Sequence, residues 1–170
     1  MVTPEHHEQA LAEVRVRRLV STDVASLEAL STLFGAAFDD AETYTGRRPS
    51  AEYLRTLLAD DTFIALVATR GVEVVGGIVA YELRKFEQER SEIYVYDLAV
   101  AEPHRRQGIA ERLIRALVAV AAACGAYVVF VQADHGDDPA IALYTKLGTR
   151  EDVIHVDIAV PDVAGGHGSS

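Results

Sequence analysis

The sequence predicts an α/β sandwich, a central mixed sheet flanked by helices, and three observations carry that prediction. Segments patterned as strands are interleaved with segments whose apolar residues recur at helical spacing. An apolar strand at residues 93–100 runs through a short Glu102-Pro103-His104 turn into a long amphipathic helix. At 170 residues, with 49% hydrophobic and 25% charged side chains, the chain is sized for one globular domain that needs neither disulfides nor a structural metal.

Residues 14–20 alternate apolar and basic side chains and read as a half-buried first strand. Asp23 is placed to cap a helix carrying Val24, Leu27, Leu30, Phe34 and Phe38 on one face. A polar loop through Glu42, Tyr44, Gly46 and Pro49, suited to wall a substrate, leads to a second helix at 50–59 with Tyr53, Leu54, Leu57 and Leu58 expected inward. Residues 63–69 and 74–83 form a hairpin about Arg70-Gly71-Val72-Glu73, and the strand at 93–100 follows a charged turn at 84–90. Ile109, Leu113, Leu117, Val120 and Cys124 then mark one helix stripe, with Gly125 as its C′ residue. A continuously apolar strand is expected at 127–133, and a helix with Asp138 as N-cap and Pro139 at N1 ends before Gly148. The alternation at 153–158 predicts a last strand. Residues 1–13 and the Gly- and Ser-rich 161–170 are expected to be flexible ends of a single domain at 14–160.

The formal charge of −10 argues against nucleic acid or an anionic membrane as partner, since both select basic surfaces. Cys124 is the only cysteine, so no disulfide framework or CxxC site exists, and its place on the stripe predicts a packing role. The polar N-terminal stretch lacks the apolar run of a signal peptide, no span approaches the roughly 20 apolar residues of a membrane helix, and a cytoplasmic location is the expectation. His104 and His135 lack metal-ligand spacing, so no metal is expected.

Arg105-Arg106-Gln107-Gly108-Ile109-Ala110, at the opening of the long helix, has the makings of a phosphate cradle. The first N–H groups of a helix lack intrahelical acceptors and the macrodipole is positive there. Gly108 lets the backbone approach an anion, and Arg105 and Arg106 supply charge-assisted donors. A Walker A loop and a dinucleotide fingerprint are both absent, lacking respectively Gly-Lys-Ser/Thr and the second turn glycine. Read alone, the hexapeptide is also compatible with a basic turn whose glycine serves packing.

Asp97 lies mid-strand, where a charge on a packed face is costly unless that face opens on a cavity or meets an internal lysine or arginine. It is the first candidate for accepting a proton, with Glu92 at the strand's outer end as the alternative. Asp134, Asp137 and Asp138 make an acidic loop after the fifth strand. Capping explains Asp138; Asp134 and Asp137 have no such explanation and are candidates for cation contacts.

The pattern Arg105-x-x-Gly108-x-Ala110 resembles the acyl-CoA pyrophosphate signature of the GNAT superfamily of N-acetyltransferases, and the element order is the one expected of that fold, whose central sheet is mixed and mostly antiparallel. Asp137-x-x-Ala140-Ile141-Ala142-Leu143-Tyr144-x-Lys146-Leu147-Gly148 resembles its second motif. The strings Lys85-Phe86-Glu87-Gln88, Arg90 to Val100, Gly125-Ala126-Tyr127-Val128 and Val131 to Ala140 narrow the resemblance to gentamicin-type aminoglycoside 3-N-acetyltransferases, over residues 14–158. One departure is His135, where the nearest relatives would have tyrosine. Another is Asp137, where the wider superfamily commonly has asparagine; a carboxylate there favours a cationic ligand.

The resemblance implies acetyl-CoA as cosubstrate, held by Leu98, Ala99 and Val100 through their backbone and by Arg105, Arg106, Gln107, Gly108, Ile109 and Ala110 at the diphosphate. It implies Tyr144 beside the thioester sulfur as general acid, where packing against Leu143 and Leu147 is the simpler role. Asp97, Asp134 and Asp137 are the expected substrate contacts and Asp97 the expected base, in a direct transfer without an acyl-enzyme. A homodimer is a further expectation, with residues 153–158 at its interface. Acetylation of another cationic amine such as a polyamine, or acyl-CoA binding without catalysis, are the alternatives.

Overall fold

The computed structural model describes residues 13–161. The ends expected to be flexible therefore lie outside the described residues, apart from Glu13 and Pro161. The chain divides into two compact units, Met1–His135 and Gly136–Ser170.

The first unit is built on a five-stranded sheet in the order β1 (Val14–Arg18), β2 (Phe63–Arg70), β3 (Glu73–Arg84), β4 (Ser91–Val100), β5 (Ala126–Val131). The first three pairings are antiparallel and β4–β5 is parallel, so the sheet is mixed and mostly antiparallel as expected. Three helices accompany it: α1 (Val24–Ala37), α2 (Ala51–Ala59) and α3 (Ile109–Cys124). A parallel pair needs a crossover, and α3 provides it.

The two sheet faces carry separate apolar clusters. On one, Ile109, Leu113, Leu117 and Ala121 of α3 meet Ile64, Leu66, Ile78, Ile93 and Val95. On the other, Leu27, Leu30 and Phe34 of α1 and Leu54 and Leu58 of α2 meet Phe63, Ala65, Val67 and Val79. Because β2 is covered on both sides, Phe63 through Ala68 are all buried and the strand reads as an apolar run instead of an alternation. Gly77 lets α1 seat deeply: a Cβ there would stand 2.9 Å from the Leu66 carbonyl and would collide with the Leu30 side chain.

Several expectations need correction. Asp23 occupies the N-cap position of α1, but its carboxylate bonds the Arg17 guanidinium at 2.8 Å and the Val20 N–H at 2.9 Å instead of the helix. Ser50 does cap α2, accepting from the Tyr53 N–H at 3.1 Å. Tyr53 itself is exposed, and α2 packs on the sheet through Leu54, Leu57 and Leu58. Cys124 is exposed, not packed, since the last turn of α3 runs past the sheet after Ala121. The continuously apolar strand expected at 127–133 is β5, an edge strand at Ala126–Val131 whose Tyr127 and Val128 are exposed.

The second unit contains one described helix, α4 (Asp138–Leu147). Its N-cap is Asp137, whose carboxylate accepts from the Ala140 N–H at 3.3 Å; Asp138 is already the first helical residue. The strand expected at 153–158 is absent: residues 149–161 have no regular structure, and Ile154 is 92% exposed. Alternation is only half of what a strand requires; the other half is a hydrogen-bonding neighbour, and no ladder includes this segment among the described residues.

Candidate active site

The site begins where β4 and β5 part. Their parallel ladder runs from Ser91 opposite Ala126 to Val95 opposite Val131 and then stops, while β4 continues to Val100 paired with β3. On the β5 side, the backbone of Leu98, Ala99 and Val100 therefore has no strand partner among the described residues. Such an edge accepts an extended amide-bearing chain as an added strand would be accepted.

At the same end of the sheet, β4 passes through a short 3₁₀ turn, Glu102–His104, into α3. Gly108 is the N-cap of α3 with φ +77°, a left-handed backbone that favours glycine, and no side chain caps the helix. The first N–H groups of a helix have no intrahelical acceptor, and Gly108 supplies none from a side chain. Arg106 also has a positive φ, +59°, in the turn before it. Arg105 ties the turn to β4 by donating from Nε to the Val100 carbonyl at 3.1 Å. Gln107 accepts from Arg70 through Oε1 at 3.1 Å, so its side chain fastens the turn to β2, and Ile109 is anchored in the core. Arg106 and Gly108 are exposed. The hexapeptide therefore shapes the loop and opens a positively polarised helix start.

Asp97 stands two residues beyond the last β4–β5 pair. A bulge shapes this point: Val79 pairs with Asp97 and Ala80 with Val95, leaving Tyr96 as the extra residue. Asp97 follows Val79 onto the α1/α2 face and lines a cavity of about 180 Å³ with Leu27, Phe34, Tyr44, Tyr81 and Arg48. Its partner is a hydroxyl: Tyr44 Oη donates to Asp97 Oδ1 at 2.7 Å. Among the described residues no lysine or arginine pairs with Asp97, so the internal salt bridge is not what holds it. Burial pushes the carboxyl above its ordinary value, and the Tyr44 hydrogen bond opposes the rise. Tyr44 is itself shifted strongly upward by burial and by Asp97, and remains a donor.

Tyr44 is a site residue that the sequence alone placed only in a polar loop. The segment Glu42–Gly46 is a turn of π-helix, steadied by Ser31 Oγ donating to the Tyr44 carbonyl at 2.6 Å and by Thr45 Oγ1 donating to the Ala41 carbonyl at 2.7 Å. The Tyr44 ring packs edge-on to Phe34 and tilted against Phe38, with centroids at 5.9 and 5.7 Å. Asp97 and Tyr44 are separated by 53 residues, and only the tertiary fold joins them.

Glu92, the alternative base, is occupied otherwise: it accepts from the Tyr127 hydroxyl and pairs with Lys85 at 3.5 Å, and these partners hold it below the ordinary carboxylate range. Asp134 is exposed three residues past the end of β5. Since β4 and β5 are parallel, Asp97 and Asp134 belong to the same end of the sheet. In the second unit, Asp137 carries the helix cap described above, a structural role the sequence reading gave to Asp138. Tyr144 is half-buried on α4; burial first, and the Asp137 carboxylate second, push its hydroxyl up to about 12, so it stays protonated at working pH. Among the described residues no group of three or more His, Cys, Asp and Glu side chains is arranged to hold a metal, and no helix is long and apolar enough to cross a membrane.

At this end of the sheet the parallel strands part midway and the helix that follows starts without a side-chain cap. Residues 27–149 match the acetyltransferase (GNAT) family model, well over half of the chain, and the chain belongs to that family. GNAT acetyltransferases use acetyl-CoA. The structure is similar to that of the aminoglycoside acetyltransferase HMB0005 from an uncultured soil metagenomic sample, with 59% identity, a TM-score of 0.85, and coverage of 86% of this chain and 98% of that one. It is also similar to the aminoglycoside acetyltransferase meta-AAC0020 from an uncultured soil metagenomic sample, seen in complex with sisomicin, at 32% identity and a TM-score of 0.81 over 88% of this chain and 97% of that one. A curated relative, N-acetyltransferase 8B of Rattus norvegicus, is 30% identical over 101 residues, 59% of this chain; the match spans 46% of that protein's length.

Proposed function

We propose that this chain transfers acetyl from acetyl-CoA directly to an amine of an aminoglycoside antibiotic, at the 3-amino group of the 2-deoxystreptamine ring in gentamicin-like compounds, and thereby confers resistance in the cytoplasm. The observation that carries the proposal is Asp97, a partly buried carboxylate facing a cavity at the point where β4 and β5 diverge, held by a hydroxyl and by no cation. An ammonium is the partner it lacks. The likeness to aminoglycoside acetyltransferases at 59% and 32% identity supports the choice of amine.

In this reading Leu98, Ala99 and Val100 bind the pantetheine arm along the open side of β4, and the residues from Arg105 to Ala110 bind the diphosphate at the start of α3. Acetyl-CoA supplies the thioester that is attacked. A free β4 N–H donates to the oxyanion that forms. An alkylammonium with a pKa near 10 loses about 1.36 kcal/mol per unit above working pH before it can attack, and Asp97, or a water it holds, takes that proton. Asp97 contacts the reacting ammonium, and Asp134 and Asp137 hold remaining charges of the substrate. Tyr144 donates to the departing sulfur. Burial and the Asp137 carboxylate raise its hydroxyl to about 12, so it is protonated and able to donate as the thiolate leaves.

Release of free thiol from acetyl-CoA, measured against gentamicin, sisomicin and spermidine, tests the proposal, with NMR of the product to locate the new amide. Acetylation at the 3-amino group of the antibiotics is expected. Turnover of spermidine alone would move the activity to polyamines, and binding of acetyl-CoA with no turnover would leave a ligand-binding module.

A further inference from the structure

An aromatic row crosses four strands of the sheet on the same face as Asp97. The register sets Phe63 opposite Tyr81, Tyr81 opposite Tyr94, and Tyr94 opposite Phe130. Phe63 and Tyr81 are 5.6 Å apart between centroids, and Tyr94 stacks on Phe130 at 4.9 Å and 10°. The inner end of the row, Phe63 and Tyr81, lines the cavity that contains Asp97.

Tyr96 is the extra residue of the bulge, and a bulge turns two consecutive side chains toward one side of the sheet. Its ring stands beside Asp97 and meets both Tyr81 and Tyr94 nearly perpendicularly, at 86° and 78° with centroids at 5.9 Å. Neither neighbour stacks on it, and Tyr96 is 62% exposed. Tyr94 is fixed from the other side, its hydroxyl donating to Gln132 Oε1 on the chain leaving β5 at 3.1 Å. The result is a row of tyrosine rings that starts in the cavity and runs outward past the carboxylate.

The faces of phenol rings are negative, and a cation within about 6 Å of the centroid is attracted to them. The mostly apolar cavity offers two carboxylates, Asp97 and Glu28, beside the cationic Arg48, whereas an amino sugar of several rings brings more ammonium groups than these can pair. We propose that Tyr96, supported by Tyr94, is a second substrate subsite, which receives an ammonium-bearing ring of the aminoglycoside adjacent to the ring presented to Asp97. The inference rests on the aminoglycoside reading above and adds a specificity-determining residue to it. Charge complementarity and continuity with the cavity favour a polycationic sugar over a protein surface as the occupant of this row.

The test compares wild type with Tyr96→Phe and Tyr96→Leu, reading both steady-state kinetics and the calorimetric Kd for sisomicin in the presence of CoA. The ring is the recognition element, so Tyr96→Phe should stay within about twofold of wild type. Tyr96→Leu should raise KM and Kd by about 3- to 30-fold while kcat changes by less than about twofold. Spermidine, which has no sugar ring and spans the site differently, serves as the contrasting ligand and should lose less. An unchanged sisomicin Kd for Tyr96→Leu in an enzyme that acetylates sisomicin overturns the subsite and leaves the aminoglycoside reading standing. A wild-type protein that neither binds nor acetylates sisomicin overturns both. Tyr96 is exposed and its thermal unfolding can be compared directly, so a folding defect in the leucine variant is recognised and Tyr96→Gln takes its place with the same expected loss.

Discussion

Asp97 and Tyr44 set each other's protonation. Burial raises the carboxyl, and the Tyr44 hydroxyl, donating at 2.7 Å, is the interaction that draws it back down. Tyr44→Phe keeps the ring packed on Phe34 and Phe38 but removes the donor, leaving burial unopposed. A carboxylate base works only when ionised, so the acidic limb of kcat/KM should move to higher pH in this variant, with activity recovering as pH rises. A pH–rate profile measures it. An acidic limb in the wild-type position would mean that Asp97 is not the group titrating, or that Tyr44 does not govern it. At this scale the sequence was a partial guide. Asp97 stood out because a mid-strand acid needs a reason, whereas Tyr44 carried no such mark: its partner is 53 residues away and the π-turn that aims it has no simple periodicity. The cap of α4 was misplaced by one residue, since Asp137 and Asp138 are chemically identical and only backbone geometry separates N-cap from N1.

Among the elements, the start of α3 bears most of the cofactor argument. Gly108 at φ +77° has a left-handed backbone that favours glycine, and in the proposed reading it is where the chain approaches the diphosphate. Gly108→Glu should weaken CoA binding by about tenfold or more, through side-chain bulk and repulsion at the positive helix end. Gly108→Asn, whose side chain tolerates the left-handed backbone, should lose much less. Calorimetric titration with CoA reads both, and equal affinity across the three proteins would remove the diphosphate from this site. The bulge in β4 was invisible in the sequence for a different reason. Residues 93–100 read as one strand whether or not a residue is skipped, and the skip is defined only by the β3 partner. Residues 153–158 show the converse, a strand-like alternation that the described structure leaves without a ladder.

For the molecule as a whole, layer order and sheet composition were legible because each helix and strand carries its own period, and the family followed from motifs that occupy contiguous stretches at the end of β4, the start of α3 and along α4. What the sequence withheld is what arises between elements: the Asp97–Tyr44 pair, the cavity between α1, α2 and the sheet, and the aromatic row across four strands. The central claim is that this assembly deprotonates an aminoglycoside amine at Asp97 for attack on acetyl-CoA. Asp97→Asn preserves volume and the acceptor for Tyr44 while removing the charge, and the decisive measurement is its rate of gentamicin acetylation against wild type, by thiol release and mass spectrometry of the product. The account predicts monoacetylated gentamicin from the wild type and a fall in kcat of about 10²–10⁴-fold in the variant, with CoA affinity unchanged. A variant that acetylates gentamicin at the wild-type rate, or a wild type that yields no acetylated product, would contradict it.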